Sequence, residues 1–257
     1  MGLLPGTPLR YRHHTKLSPK LPMPPSLSLR SLLGAAVLLA PSIARAATFS
    51  FGDDWSGSVN PHAGYTYGMA ANTTAPVTAF TTATTPVAGV EAWSVPALPI
   101  VTKNTTGSDI AYSTANYLAA PTHFLGAHPG PGGEYAIISY ALPLTGTLGF
   151  TADFSSQDSA GATTDVHVFL AGTELFSGNV SGIGSTLSYA TPGGGLAVTA
   201  GDTLEVRVGF GGASYFNDTT GVKVEGNITA VPEPAETATW IAAALVAGGL
   251  WLRRQRR

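Results

Sequence analysis

Two groups of side chains in this 257-residue chain could do chemistry. The run Asn217-Asp218-Thr219-Thr220-Gly221 packs carboxylate, amide and hydroxyl oxygens into one turn, and hard cations such as calcium take oxygen ligands of that kind. Asp165 and the pair Asp53-Asp54 would add carboxylates from neighbouring loops. Asn217 and Asp218 serve equally well to brace a turn through side-chain to backbone hydrogen bonds. A calcium site over Asp165, Asn217 and Asp218 therefore stands beside a purely structural use of the same residues. The second group is aromatic: Trp55, Tyr65, Tyr67, Trp93, Tyr215 and Phe216. Flat rings with a polar handle suit sugar stacking as well as core packing. Trp55 and Tyr215 are the candidates for a sugar platform.

Other chemistries find less material. There is no cysteine, which excludes disulfides, thiolate metal sites and a cysteine nucleophile. No G-x-S-x-G is present. His62, His123, His128 and His167 form neither H-E-x-x-H nor an i, i+4 pair. His167 falls opposite Val166 and Val168, which suits a surface histidine better than a ligand. Asp153, Asp165 and Glu174 could act as a carboxylate pair in glycoside hydrolysis, but acids are common, and a non-enzymatic role is expected. Between Ala47 and Ala230 only Lys103, Arg207 and Lys223 are basic, against thirteen carboxylates, a net charge of about −10. Such a segment repels phosphate, so nucleic acid is not an expected partner. It suits a cation, a neutral sugar or simple solubility.

The elements that must position these residues read as strands. Thr164 to Leu170 alternates with Val166, Val168 and Leu170 on one face, and Ala171-Gly172 turns into Thr173 to Phe176 as a hairpin. Thr203 to Val208 places Leu204, Val206 and Val208 inward and sends Glu205 and Arg207 to water. Val222, Val224 and Ile228 fit a closing strand with an irregularity at Gly226-Asn227. Tyr135 to Tyr140 and Thr147 to Phe154 add two more strands, and Phe49 to Gly68 supplies a first strand and turn. Residues 72–89, rich in Thr, Ala and Pro, read as a loop with edge strands of the same domain. Gly- and Pro-rich turns separate the strands, and no long amphipathic helix interrupts them. The expectation is an all-β, antiparallel β-sandwich, jelly-roll-like, over residues 47–230.

Both ends read as addresses. Residues 1–46 carry a secretory signal: Arg30, the apolar run Ser31 to Ala40, Pro41, and small residues before a cleavage expected between Ala46 and Ala47 by signal peptidase. Met23 is a plausible start. Residues 231–257 hold an apolar segment, 235–252, of roughly 27 Å as a helix, read as a transmembrane helix. Arg253, Arg254, Arg256 and Arg257 behind it form a cytoplasmic basic cluster.

Val231-Pro232-Glu233-Pro234, then an apolar helix, then a C-terminal arginine cluster, resembles the PEP-CTERM sorting signal. The resemblance implies a substrate of the membrane protease exosortase. It implies also a Gram-negative host that makes exopolysaccharide, and a surface or matrix role for the released protein. The segments HPGPGGEYA, TTDVHVFLAGTELFSG, AGDTLEVRVGFGG and YFNDTTG, between His128 and Gly221, resemble a domain recurrent in such exported proteins. Its layout is similar to β-sandwich carbohydrate-binding modules, a fold-level analogy. The expected function is an exported, non-enzymatic surface or matrix protein associated with exopolysaccharide. The alternatives are a carbohydrate-binding module and a secreted hydrolase.

Overall fold

The computed structural model describes residues 45–96, 98–111, 119–212, 214–231 and 234–255. The expected signal segment up to residue 44, Pro232, Glu233, Arg256 and Arg257 lie outside the described residues. Seventeen strands follow one another in these residues: β1 (Ala46–Ser50), β2 (Tyr65–Ala70), β3 (Thr78–Ala79), β4 (Thr82–Val87), β5 (Val90–Ser94), β6 (Ile100–Asn104), β7 (Ile110–Ala111), β8 (Ala119–Ala120), β9 (Leu125–His128), β10 (Tyr135–Ala141), β11 (Gly146–Ser156), β12 (Ala162–Leu170), β13 (Thr173–Gly182), β14 (Thr186–Ala190), β15 (Leu196–Val198), β16 (Thr203–Gly209) and β17 (Thr220–Ala230). One helix, α1 (Pro234–Gln255), closes the series.

All the pairings are antiparallel. A larger sheet runs β14-β11-β17-β9-β6-β5-β4, with β1 added to β17 and β15 to β11, and a smaller sheet runs β13-β12-β16-β10-β2-β3. β7 and β8 form a separate ribbon. The two sheets share one core, as the sequence alternation predicts. Val166, Val168, Leu204, Val206 and Val208 from the smaller sheet and Leu148, Phe154, Val222, Val224 and Ile228 from the larger are all buried within it. Each such side chain contributes roughly 1.5–3 kcal/mol on burial. Phe49 of the larger sheet meets Tyr140 of the smaller at 5.1 Å between ring centroids.

The chain closes both flanks of the sandwich by stepping from one sheet to the other. At one flank β13 passes to β14, and Phe176 packs on Phe154 and Tyr189. At the other β3 passes to β4, with Phe80 buried at the crossing. The expected hairpin is present: Ala171 and Gly172 both take positive φ, at 48° and 78°, the geometry of a two-residue turn that matches strand twist.

Two strand expectations are corrected. No irregularity falls at Gly226-Asn227; the β11–β17 register runs unbroken from Thr220 to Ala230. Gly226 takes an inward slot, and a Cβ there would lie 2.6 Å from the Phe49 ring and 2.7 Å from Phe150 Cβ. The glycine makes room for the aromatic packing. Arg207 does not point to water. It is buried on the outer face of the smaller sheet, where Nη1 donates to the carbonyls of Ala75 (2.8 Å) and Asn72 (3.2 Å). Its guanidinium also pairs with Glu205 at 2.7 Å and lies 5.2 Å from the centre of the Phe169 ring. The loop 71–77 supplies the carbonyls, and alternation within one strand carries no sign of that loop.

Residues Ser42–Glu233 form one compact unit. Ala46 and Ala47 sit within β1, opposite Thr229 and Ile228, and the Ala230 amide donates to the Arg45 carbonyl at 2.8 Å. The two ends of the sandwich thus leave it side by side. Val231 is exposed just beyond β17.

In α1, Pro234 stands at the start, where its missing N–H costs nothing. Arg253 and Arg254 fill the last turn, favourable to the helix dipole. The transmembrane expectation is corrected: among the described residues no helix is long and apolar enough to cross a membrane. Glu236, Thr237 and Thr239 open the segment, and many alanines with Gly248-Gly249 dilute its apolar surface.

Candidate functional site

One end of the sandwich gathers the most distinctive surface. There β9 ends at His128, β11 ends at Ser156 and β17 starts at Thr220, placed together by their registers in the larger sheet, and β12 of the smaller sheet starts at Ala162, whose amide donates to Ser156 Oγ at 3.1 Å. The loop 210–219, between β16 and β17, crosses this end. It is fixed by its buried carboxylate. Asp218 Oδ1 accepts from the Thr163 amide at 2.7 Å and the Thr163 hydroxyl at 3.0 Å. The Thr164 and Thr220 hydroxyls meet at 2.5 Å, and the Gln157 amide donates to the Thr219 carbonyl at 3.0 Å. Burial pushes the Asp218 carboxyl above its ordinary range, against the hydrogen bonds from Thr163. Asn217 takes the left-handed turn at φ 66°, a conformation asparagine tolerates better than most residues.

On this clamped loop stand Tyr215 and Phe216, stacked at 4.3 Å with 29° between ring planes. Phe216 is 66% exposed. It is the one large aromatic of the described sandwich residues with most of its surface in water, apart from any core. His128 meets the Tyr215 ring edge-on, at 6.4 Å. His128 Nδ1 lies 2.8 Å from the Pro129 carbonyl. A carbonyl only accepts, so Nδ1 carries the hydrogen. Burial pushes this imidazole below its usual pKa, despite Asp218 and Asp158 nearby. The ring is therefore neutral near pH 7 and Nε2 is a bare acceptor.

The expected calcium residues are not brought together. Asp218 is spent on Thr163, Asn217 shapes the turn, and Asp165 lies on the outer face of the smaller sheet with other partners. Among the described residues no three His, Asp or Glu side chains are gathered so as to hold a metal ion. The bracing use of Asn217 and Asp218 is the one the geometry displays.

Asp165 belongs to a second polar cluster. Its Oδ2 accepts from the Tyr135 hydroxyl at 2.5 Å and lies 3.0 Å from His167 Nε2. His167 Nδ1 lies 3.1 Å from Glu174 Oε1. The Asp165 hydrogen bond, with that of Glu174, outweighs burial and raises the His167 pKa. Burial alone would lift the Asp165 carboxyl, yet hydrogen bonds from His167 and Tyr135 hold it below the usual range. Gly209 lies between these side chains in the sheet; a Cβ there would strike Asp165 Oδ1 and come within 2.5 Å of the Tyr135 ring. His167 is on the outer face, as its parity predicts. Asp153, the third acid, accepts instead from Ser188 at 2.6 Å.

Trp55 is half-buried and engaged on two sides. Its ring packs on Tyr67 at 4.4 Å, and its Nε1 donates to Glu91 Oε2 at 2.8 Å. The neighbouring Trp93 Nε1 donates to the Ser56 carbonyl at 2.6 Å. Trp55 is thus tied into the seam between β2 and β5, while Tyr215, equally half-buried, stacks on the exposed Phe216. Sequence reasoning did not find Thr163, Gly209 or the role of His128. The Thr163-Thr164 pair opening β12 and the Thr219-Thr220 pair opening β17 are the signal that could have joined the two strand starts.

No family model matches the chain, and no curated protein does. Solved structures with a similar arrangement include CBM51 from Clostridium perfringens GH95 in complex with methyl-galactose, 14% identical over 58% of this chain and 94% of that one, at a TM-score of 0.32. CBM51-2 with the INT domains of Clostridium perfringens ZmpB, in complex with GlcNAc, is 11% identical over 58% and 30% of the two chains, at 0.33. The exo-beta-1,3-galactanase of Phanerochaete chrysosporium with galactose is 15% identical over 49% and 32%, at 0.26. Likeness at these scores carries no argument about ligand or chemistry.

Proposed function

We propose that this chain is an exported β-sandwich module that binds polysaccharide through the Tyr215–Phe216 platform and performs no reaction on it. The observation that carries the reading is the stacked ring pair, exposed Phe216 on half-buried Tyr215, on a loop fixed by a buried carboxylate. A stacked aromatic pair with one ring exposed offers a flat apolar face, and the C–H faces of pyranose rings are suited to such a surface. The clamp at Asp218 orders the loop in advance, which lowers the entropy lost on binding. The export reading rests on the signal segment, and the sorted destination on the Val231–Pro234 motif. On that reading signal peptidase and exosortase process the chain, and exopolysaccharide is its ligand outside the cell.

The test is glycan-array and affinity-gel binding by the full chain. Phe216→Ala should weaken binding about tenfold, the loss of one stacking contact of about 1.4 kcal/mol, with unchanged thermal stability. Trp55→Ala should do the reverse, lowering stability by about 3 kcal/mol while the remaining folded protein binds normally. Binding that survives Phe216→Ala and Tyr215→Ala together would sink the platform. For the address, intact mass from the host should begin at Ala47 and end near Pro232 to Pro234; a product retaining Arg257 would remove the sorting step.

A further inference from the structure

The ligand class can be narrowed from what the sandwich has left unpaired, and this step rests on the platform reading above. Every cation between Ala47 and Ala230 is already engaged. Arg207 holds Glu205 and the carbonyls of Asn72 and Ala75. Lys223 pairs with Glu225 at 3.1 Å. Lys103 Nζ donates to the Thr122 carbonyl. None of the three touches the platform loop, and recognition of a carboxylate or sulfate would call for such a group. The charges that do act near the platform are the carboxylates of Asp158 and Asp218, both buried and both close enough to influence His128.

One open polar group remains beside the rings. Among the described residues the buried side-chain atoms without a hydrogen-bond partner are Tyr67 Oη, Gln157 Oε1 and Asp165 Oδ1. His128 Nε2 is not one of them, and its ring bonds only to the Pro129 carbonyl, through Nδ1. Nε2 therefore has access to solvent, as an acceptor without a partner among the described residues. A sugar hydroxyl is a donor, and a carboxylate is not.

We propose that the site selects an uncharged saccharide over an acidic one, with the sugar ring on Tyr215 and Phe216 and one hydroxyl donating to His128 Nε2. The Pro129 carbonyl fixes the imidazole tautomer that makes this possible. An anionic sugar would meet two carboxylates and no cation.

The experiment uses the full chain at low ionic strength against paired polysaccharide panels, one neutral (glucans, galactans), one uronate-rich or sulfated. Neutral polymer should retard the protein and acidic polymer should not. His128→Ala should weaken neutral binding about tenfold, and His128→Gln, whose amide oxygen still accepts, should restore most of it, with melting curves confirming that both variants fold. Acidic polymer bound as tightly as neutral, or His128→Ala bound like the parent while Phe216→Ala is impaired, overturns the selection and leaves the platform standing. Failure of both panels overturns the platform reading, and this inference with it.

Discussion

The molecule uses one set of residue types twice, to different ends. On the outer face of the smaller sheet, His167 has a carboxylate on each ring nitrogen, and Tyr135 donates to one of those carboxylates. At the end of the sandwich, His128 has a carbonyl on one nitrogen and no partner among the described residues on the other, while its neighbouring tyrosine stacks on an exposed phenylalanine. The difference lies in where the partners come from. His167 is flanked by β13, which presents Glu174, and its neighbour Asp165 reaches Tyr135 of β10 across Gly209 of β16, so its bonds close within the sheet. His128 is the last residue of its strand; the loop beyond it returns the Pro129 carbonyl, and the β16–β17 loop brings the Tyr215 ring. Both ring nitrogens of His167 are satisfied within the sheet, and Asp165 Oδ1 is the atom of that cluster left without a partner among the described residues. At His128 the open nitrogen lies on a ring that meets Tyr215, next to the exposed Phe216, and the proposed recognition rests on that arrangement.

Removing Asp218 should break this comparison most. Asp218→Ala leaves the Thr163 amide and hydroxyl without their acceptor and should cost about 2–3 kcal/mol in urea unfolding, with polysaccharide binding lost as the loop loosens. Asp218→Asn keeps one acceptor oxygen and should cost less. If Asp218→Ala unfolds like the parent, the platform is not held by this clamp. On the other side of the comparison, Gly209→Ala forces a methyl into Asp165 and Tyr135. It should cost about 2 kcal/mol from overpacking while leaving polysaccharide affinity unchanged. A loss of affinity in a folded Gly209→Ala protein would show that the two clusters work as one.

Much of the fold was legible because it rests on period-two patterns. Val166, Val168, Leu204, Val206 and Val208 are buried where alternation places them, and Ala171-Gly172 turns where turn chemistry demands. Arg207 shows where the pattern stops: a residue on the outer face need not be wet when a loop far away in sequence lies across it. The site was half legible. Tyr215, Phe216, Asn217 and Asp218 stood out by type, but the partner that decides between metal ligand and brace is Thr163, 55 residues away along the chain from Asp218. The partners of Trp55 were out of sight for the same reason, because Tyr67 and Glu91 reach it only through the tertiary fold.

The smallest expected effect gives the sharpest comparison, because it has opposite signs at the two histidines. His167 has a raised pKa in the folded state, so its contribution to stability is fully present below the unfolded imidazole value of about 6.5 and is lost as pH rises through the folded value. Asp165 and Glu174 are the charges that face it. His128 has a depressed pKa. The unfolded chain then takes up the proton first, so the contribution of His128 is present above about pH 6.5 and is lost as pH falls toward the folded value. Asp158 and Asp218 face it and only partly offset its burial. Denaturant unfolding of the parent, His167→Gln and His128→Gln at matched pH values separates the two, since each variant is compared with the parent and every other titrating group cancels. The stability lost on His167→Gln should be greater at pH 6 than at pH 8, and that lost on His128→Gln greater at pH 8 than at pH 6. Two differences moving the same way with pH would mean that the histidines share one environment, and the distinction between a closed cluster and an open one would fail.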